Sequence, residues 1–156
     1  MGALDSPGEQ TPRAVFERLH RAVRDDYDMD TQADLYAPDG ILEMPFAPAG
    51  APRRIAGREE IRRVLRVAGE RARQSGRRIV AYRDLVVRET DNPEVIVAEF
   101  ELHGEVAATG ATYRLSFIQV LRVRGGQIVA MRDYFDSQAL AGALSDSSGE
   151  EVSRVD

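Results

Sequence analysis

Apolar residues recur in residues 12–24 at Val15, Leu19, Ala22 and Val23, the three- and four-residue spacing of one helix face. Thr11-Pro12 stands just before them: threonine caps free amides and proline is tolerated at the first helical position. The spacing therefore predicts a helix from Pro12 to about Arg24. Asp26 to Asp30 breaks the pattern, and Asp30 is placed to cap a short helix through Leu35 and Tyr36. Pro38-Asp39-Gly40 reads as a turn and Ile41 to Phe46 as a strand. Pro45, Pro48, Gly50 and Pro52 make the following stretch an irregular loop. Past Gly57, the residues Ile61, Val64, Leu65, Ala68 and Ala72 draw the clearest apolar stripe in the chain.

From Arg78 the period changes. Residues 78–90, 94–104, 110–124 and 127–137 are rich in β-branched and aromatic side chains and read as four strands. Asp91-Asn92-Pro93, Gly104 and Gly125-Gly126 punctuate them, and the last pair suits a tight hairpin because glycine tolerates positive φ. Helices first and an antiparallel meander afterwards predict an α+β fold, with the helices covering one face of a curved sheet.

Composition narrows the chemistry. The 156 residues fit one domain, and 43% hydrophobic against 30% charged is a globular balance. There is no cysteine, so no disulfide framework, thiolate nucleophile or thiolate-bound metal is available. All 21 basic residues are arginines, which removes lysine Schiff-base and P-loop chemistry. Two histidines, His20 and His103, leave little for a metal site, and neither a metal nor a cofactor is expected. The net charge of −5 belongs to the ends, residues 1–11 and 146–156, and leaves residues 12–145 balanced, with no global pull toward nucleic acid. Eight arginines between Arg58 and Arg78 interleave with Glu59, Glu60 and Glu70 and read as a solvated helix face. Residues 1–11 and the acidic residues 141–156 read as disordered tails around a single domain at 12–140. No apolar run is long enough for a membrane helix and the first residues do not form a secretory signal, so the expected location is cytoplasmic.

The order of elements, with LYAPDGILEMPF, IAGREEIRRVL and GGQIVAMRDYF, resembles the nuclear-transport-factor-2-like superfamily over about residues 12–140. Its SnoaL-like and ketosteroid-isomerase-like members are the most similar. The resemblance implies a cone, a strongly bent, mostly antiparallel sheet wrapped around about three N-terminal helices, with a deep apolar pocket at the open end. It also implies a homodimer through the outer sheet face. The stretch from Glu89 to Leu144 is similar to the final sheet of the phenazine-biosynthesis A/B branch, including ETD-P, Glu99 followed by His103-Gly104, and GG-I.

Carried over residue by residue, the aspartate base of ketosteroid isomerases falls on Met44, which cannot take a proton. Their oxyanion-hole aspartate falls near Gln119 and their tyrosine near Arg18. The acid/base glutamate of the phenazine branch matches Asp133, while its histidine and serine partners match Val64 and Ala68. Asp133 also stands out without the family. Strand alternation puts Val129, Met131, Asp133 and Phe135 on one apolar face, where desolvation would raise the carboxyl pKa toward neutrality. The other reading is a carboxylate paired with an arginine. His20, on the line Phe16, His20, Val23, Tyr27, is either a second proton-transfer group or a solvent-edge residue. His103, Glu43 and Asp39 alternate outward or sit in turns.

The expected site thus has Asp133 and His20 as proton-transfer groups and Gln119 and Tyr113 as polar binding groups. Met44, Phe46, Phe100, Phe117, Met131 and Phe135 are its expected apolar lining. Such a site fits a small, cofactor-independent cyclase, isomerase or dehydratase acting on an apolar oxygenated or polycyclic metabolite such as a polyketide. Epoxide opening is a variant that needs a second carboxylate or an arginine beside Asp133. The alternative is a non-catalytic module that uses the same pocket, or the sheet face, only to bind.

Overall fold

A computed structural model describes residues 7–147. Helix α1 (Pro12–Arg24) starts where Thr11 Oγ1 accepts from the Ala14 amide, and it is followed by α2 (Met29–Asp34). Strand β1 (Tyr36–Glu43), a short β2 (Arg54–Ala56) and α3 (Arg58–Gln74) come next. Four strands follow, β3 (Arg77–Glu89), β4 (Val95–Val106), β5 (Thr112–Arg124) and β6 (Gln127–Phe135), and then α4 (Ser137–Ser147). The six strands form one sheet in the order β2-β1-β6-β5-β4-β3, antiparallel except for the β1–β6 pair. This is the predicted α+β architecture. Helices α1, α2 and α3 cover the inner face, where Val15, Phe16, Leu19 and Ile61 close onto Ile96, Phe100, Leu121, Ile128 and Met131.

Several local expectations change. Asp28, not Asp30, caps α2 through the Thr31 amide, while Asp30 accepts from Arg62 and Arg66 of α3. Pro38-Asp39-Gly40 is no turn between elements. It is an irregularity inside β1, which begins at Tyr36 because Tyr36 and Ile128 are already paired across the parallel register. Met44 to Phe46 lies beyond the strand. β2 lies in the stretch whose prolines and glycine predict a loop: it is three residues long, too short for alternation to show, and exists by pairing with Ile41–Glu43. Of the α3 stripe, Ile61 and Ala72 are buried, Val64 and Leu65 are half-buried, and Ala68 is exposed.

The ends also differ. Pro7–Gln10 forms a 3-10 turn, and α4, started by Asp136 accepting from the Gln138 and Ala139 amides, carries regular structure past residue 141. The remaining parts of the expected tails lie outside the described residues.

A β-bulge positions the site. Val123 pairs with Ile128 and Arg122 with Ala130, so β6 carries Val129 as an extra residue. Simple alternation had put Val129 on the inner face. The bulge instead gives that face to Ile128 and then, past Val129, to Met131 and Asp133.

Candidate functional site

The bulge sets Asp133 directly opposite Gln119 across β5–β6, and Gln119 in turn opposite Ala98 of β4. Phe100, Phe117 and Phe135 form the next row on the same face, and Ile96, Leu121 and Met131 the row on the other side. Gln119 is one of two buried polar residues among those described, at 5% exposure. Its Nε2 donates to Asp133 Oδ1 at 3.2 Å, and its Oε1 lies 3.1 Å from Nε2 of His20 on α1. Three residues from two strands and a helix, separated by up to 113 positions in the chain, thus form one hydrogen-bonded line inside an apolar interior.

The surroundings set the charge of each end. Burial pushes the Asp133 carboxyl up to about 6, and the Gln119 hydrogen bond opposes part of that rise. Burial also lowers the His20 pKa to about 4, against a smaller upward pull from Gln119, so the ring is neutral near pH 7. Phe16, Tyr82 and Phe100 enclose that ring, with centroids 4.1, 4.6 and 4.5 Å away. His20 is also the floor of a cleft of about 260 Å³ between α1 and β3, whose rim carries Glu17, Arg21, Arg24 and Leu85. Leu85 is half exposed and follows Asp84, which holds a left-handed φ of 53° at an irregularity in β3.

The other expected residues scatter. Phe100 and Met131 are buried beside the polar line, Phe117 stacks on Phe100 at 5.2 Å, and Phe135 continues that row. Met44 is partly buried against the core. Phe46 does not line the interior. It is 63% exposed and packs on Tyr134, because the chain has left the sheet by that point. Tyr113 shares the inner face but lies six residues along β5 from Gln119, about 20 Å at strand rise. Its ring covers Gly104 and its hydroxyl interacts with Tyr27, so it does not join Asp133. Arg18 turns to the Glu9 carbonyl, Glu43 faces outward to Arg132, and His103 bonds Glu101 on the outer face.

Tyr36 was missed. It is fully buried, its hydroxyl meets Met131 Sδ at 3.8 Å, and burial, with a smaller contribution from the Asp133 charge, raises its pKa. The Pro38-Gly40 turn signal hid it by placing Tyr36 in the preceding helix. Among the described residues no three acidic or histidine side chains converge as metal ligands. No described helix is long and apolar enough to cross a membrane.

Residues 16–131 match the model of the SnoaL-like domain family. An uncharacterised PhzA/B-like protein of Pseudomonas aeruginosa is 35% identical over 103 residues, 66% of this chain and 69% of that protein. A crystal structure from Bacillus subtilis described as a "putative isomerase" is 27% identical with a TM-score of 0.67, covering 84% of this chain and 95% of that one. One from Xanthomonas campestris described as a "putative polyketide cyclase" shares the fold at 23% identity and a TM-score of 0.62, covering 83% and 93%.

Proposed function

Because the chain belongs to the SnoaL-like domain family, we propose that it is a small proton-transfer enzyme, a cyclase, isomerase or dehydratase, for an apolar oxygenated metabolite of the polyketide kind. The observation that carries this reading is the line His20–Gln119–Asp133. An acid/base carboxyl poised near neutrality is joined by hydrogen bonds to a neutral imidazole at the floor of an open cleft. Asp133 gives its proton to, or takes one from, a substrate that reaches the carboxyl. Gln119 orients that carboxyl but, being an amide, passes no proton along the line, and His20 is the member that meets the cleft. Side chains alone supply this chemistry. A single acid/base group contributes roughly 10²–10⁴-fold, which suits an entropy-limited ring closure or an enolisation better than a hard bond cleavage. The same reading includes a homodimer through the outer sheet face.

The test begins with a thermal-shift screen against polycyclic phenols and polyketide-like lactones. A ligand at 100 times its Kd adds about 2.7 kcal/mol, which raises Tm by roughly 5–10 °C at this size. Asp133→Asn is expected to keep that shift and lose at least 10²-fold in turnover of the ligand found. Unchanged turnover in the variant rejects the assignment.

A second reading, a binding module without chemistry, has its own support. Positions where related enzymes carry further reactive groups hold Met44, Val64 and Ala68, and side chains such as Phe100, Leu121 and Met131 fill the interior beside Asp133. In that case the ligand binds and nothing turns over in either protein.

A further inference from the structure

A primary amide has one accepting end and one donating end, and Gln119 presents one of them to each neighbour. An ionised carboxylate only accepts, so Asp133 in that form holds the amide NH₂. The amide oxygen is left facing His20 Nε2 and must receive a proton from it. His20 is then the Nε2–H tautomer, and its Nδ1 carries a lone pair. Protonation of Asp133 reverses the demand. Gln119 is the only hydrogen-bond partner of the Asp133 side chain among the described residues, and it meets Oδ1, so a proton taken up at Oδ1 turns to the Gln119 oxygen. The amide turns over, its NH₂ now donates to His20 Nε2, and the imidazole proton moves to Nδ1. The turn is about a terminal sp³–sp² bond with two nearly equivalent orientations, so it needs no new space.

From this geometry we propose that Gln119 is a positioning residue that makes the hydrogen-bonding character of His20 in the α1–β3 cleft follow the protonation state of Asp133. With Asp133 ionised, Nδ1 accepts. With Asp133 protonated, Nδ1–H donates. The ring stays mostly neutral while the carboxyl titrates, because desolvation raises the Asp133 carboxyl to about 6 and lowers the His20 imidazole to about 4. The groups packed around the line do not compete for the role. Asp133 faces Tyr36 from β1, whose hydroxyl burial keeps neutral. His20 faces Phe16, Tyr82 and Phe100, and the charged Glu17, Arg21 and Arg24 stand at the cleft rim.

The consequence names a ligand chemistry. One state of the cleft suits an O–H donor, an enol or phenol, and the other suits a carbonyl or its oxyanion. These are the two forms of one enolisable ketone. That consequence rests on the proton-transfer reading above, but the tautomer exchange itself does not.

The exchange is read without substrate, by NMR of protein labelled with ¹⁵N and ¹³C between pH 4.5 and 8. The two histidines make assignment simple, and His103 on the outer face serves as reference. His20 is expected as Nε2–H at pH 8 and to change to Nδ1–H with the same midpoint as the Asp133 carboxyl carbon. Gln119→Met and Asp133→Asn are each expected to hold His20 in one tautomer across the range. Asp133→Asn carries the test alone if Gln119→Met fails to fold. An Nδ1–H tautomer while Asp133 is ionised overturns the proposal. So does a single tautomer through the carboxyl titration, or an exchange that survives in Gln119→Met. A loss of turnover in Asp133→Asn together with no tautomer exchange in the parent protein keeps the enzyme reading and removes this one.

Discussion

At the residue scale, Asp133 and His20 bear on stability in opposite directions. The Asp133 carboxyl is raised in the folded chain, so the stability it allows is full below its ordinary pKa near 3.8 and is lost as pH climbs through about 6. The His20 imidazole is lowered, so its share is full above 6.5 and is lost as pH falls through about 4. Each amounts to about 3 kcal/mol, and between pH 4 and 6 the two slopes largely cancel. Asp133→Asn removes one and His20→Phe the other. Compared with the parent by urea unfolding, Asp133→Asn is expected to gain stability as pH rises from 4 to 7, and His20→Phe to lose relative stability over the same interval. Parallel pH profiles for the parent and both variants would mean that neither group is desolvated as described. A variant more stable at neutral pH yet inactive is the signature of a site that keeps a buried charge for function.

At the element scale, β1 carries the most constrained backbone near the site. It holds β6 in the sheet's only parallel pair, and Gly40 sits where the register between them shifts. A Cβ there would lie 2.9 Å from the Ile128 carbonyl oxygen and 3.0 Å from that of Ala37, both backbone atoms that cannot swing aside. Gly40→Ala is expected to cost about 1–3 kcal/mol, seen as a lower urea midpoint at unchanged m. A midpoint equal to the parent's would mean that β1 moves off β6 freely. On the other side of the fold, Arg62 ties α3 to α2 by reaching Asp30 and Asp34 while also meeting Glu59 of its own helix. The arginines of α3 thus act largely within the protein, as their interleaving with acids had implied.

At the scale of the whole molecule, the outer sheet face has a row of paired positions, Val86, Glu99, Ile118 and Tyr134, with Phe46 packed on the last. Val86, Ile118 and Phe46 are exposed and apolar there, while Glu99 is paired with Arg88. The proposed homodimer would cover this row. Sedimentation equilibrium is expected to give twice 17.3 kDa for the parent and 17.3 kDa for Ile118→Arg. A monomeric parent, or a variant that stays dimeric, removes the outer face as the interface.

The hydrophobic pattern alone set the secondary structure of α1, α3 and the four long strands, because each repeats its period over enough residues for burial on one face to override every other choice. It also marked Asp133 as a carboxylate on an apolar face and placed His20 beside the core stripe of its helix, while Gln119 stood out only through the family resemblance. It did not join them. Register decided that: one extra residue at Val129 slides β6 so that Asp133, and not Arg132, meets Gln119, and a single bulge leaves little trace in the local pattern. Tyr113 shows the converse, a residue on the right face but placed too far along its strand. Tyr36 and β2 were hidden because short or irregular strands are held by partners distant in sequence rather than by their own periodicity. Sequence determined the inward face of the long regular elements. Tertiary structure decided where a bulge or a strand end changes that face, as at Val129 and Phe46. It also decided which inward side chains touch, because contact depends on a sum of registers that no single segment records.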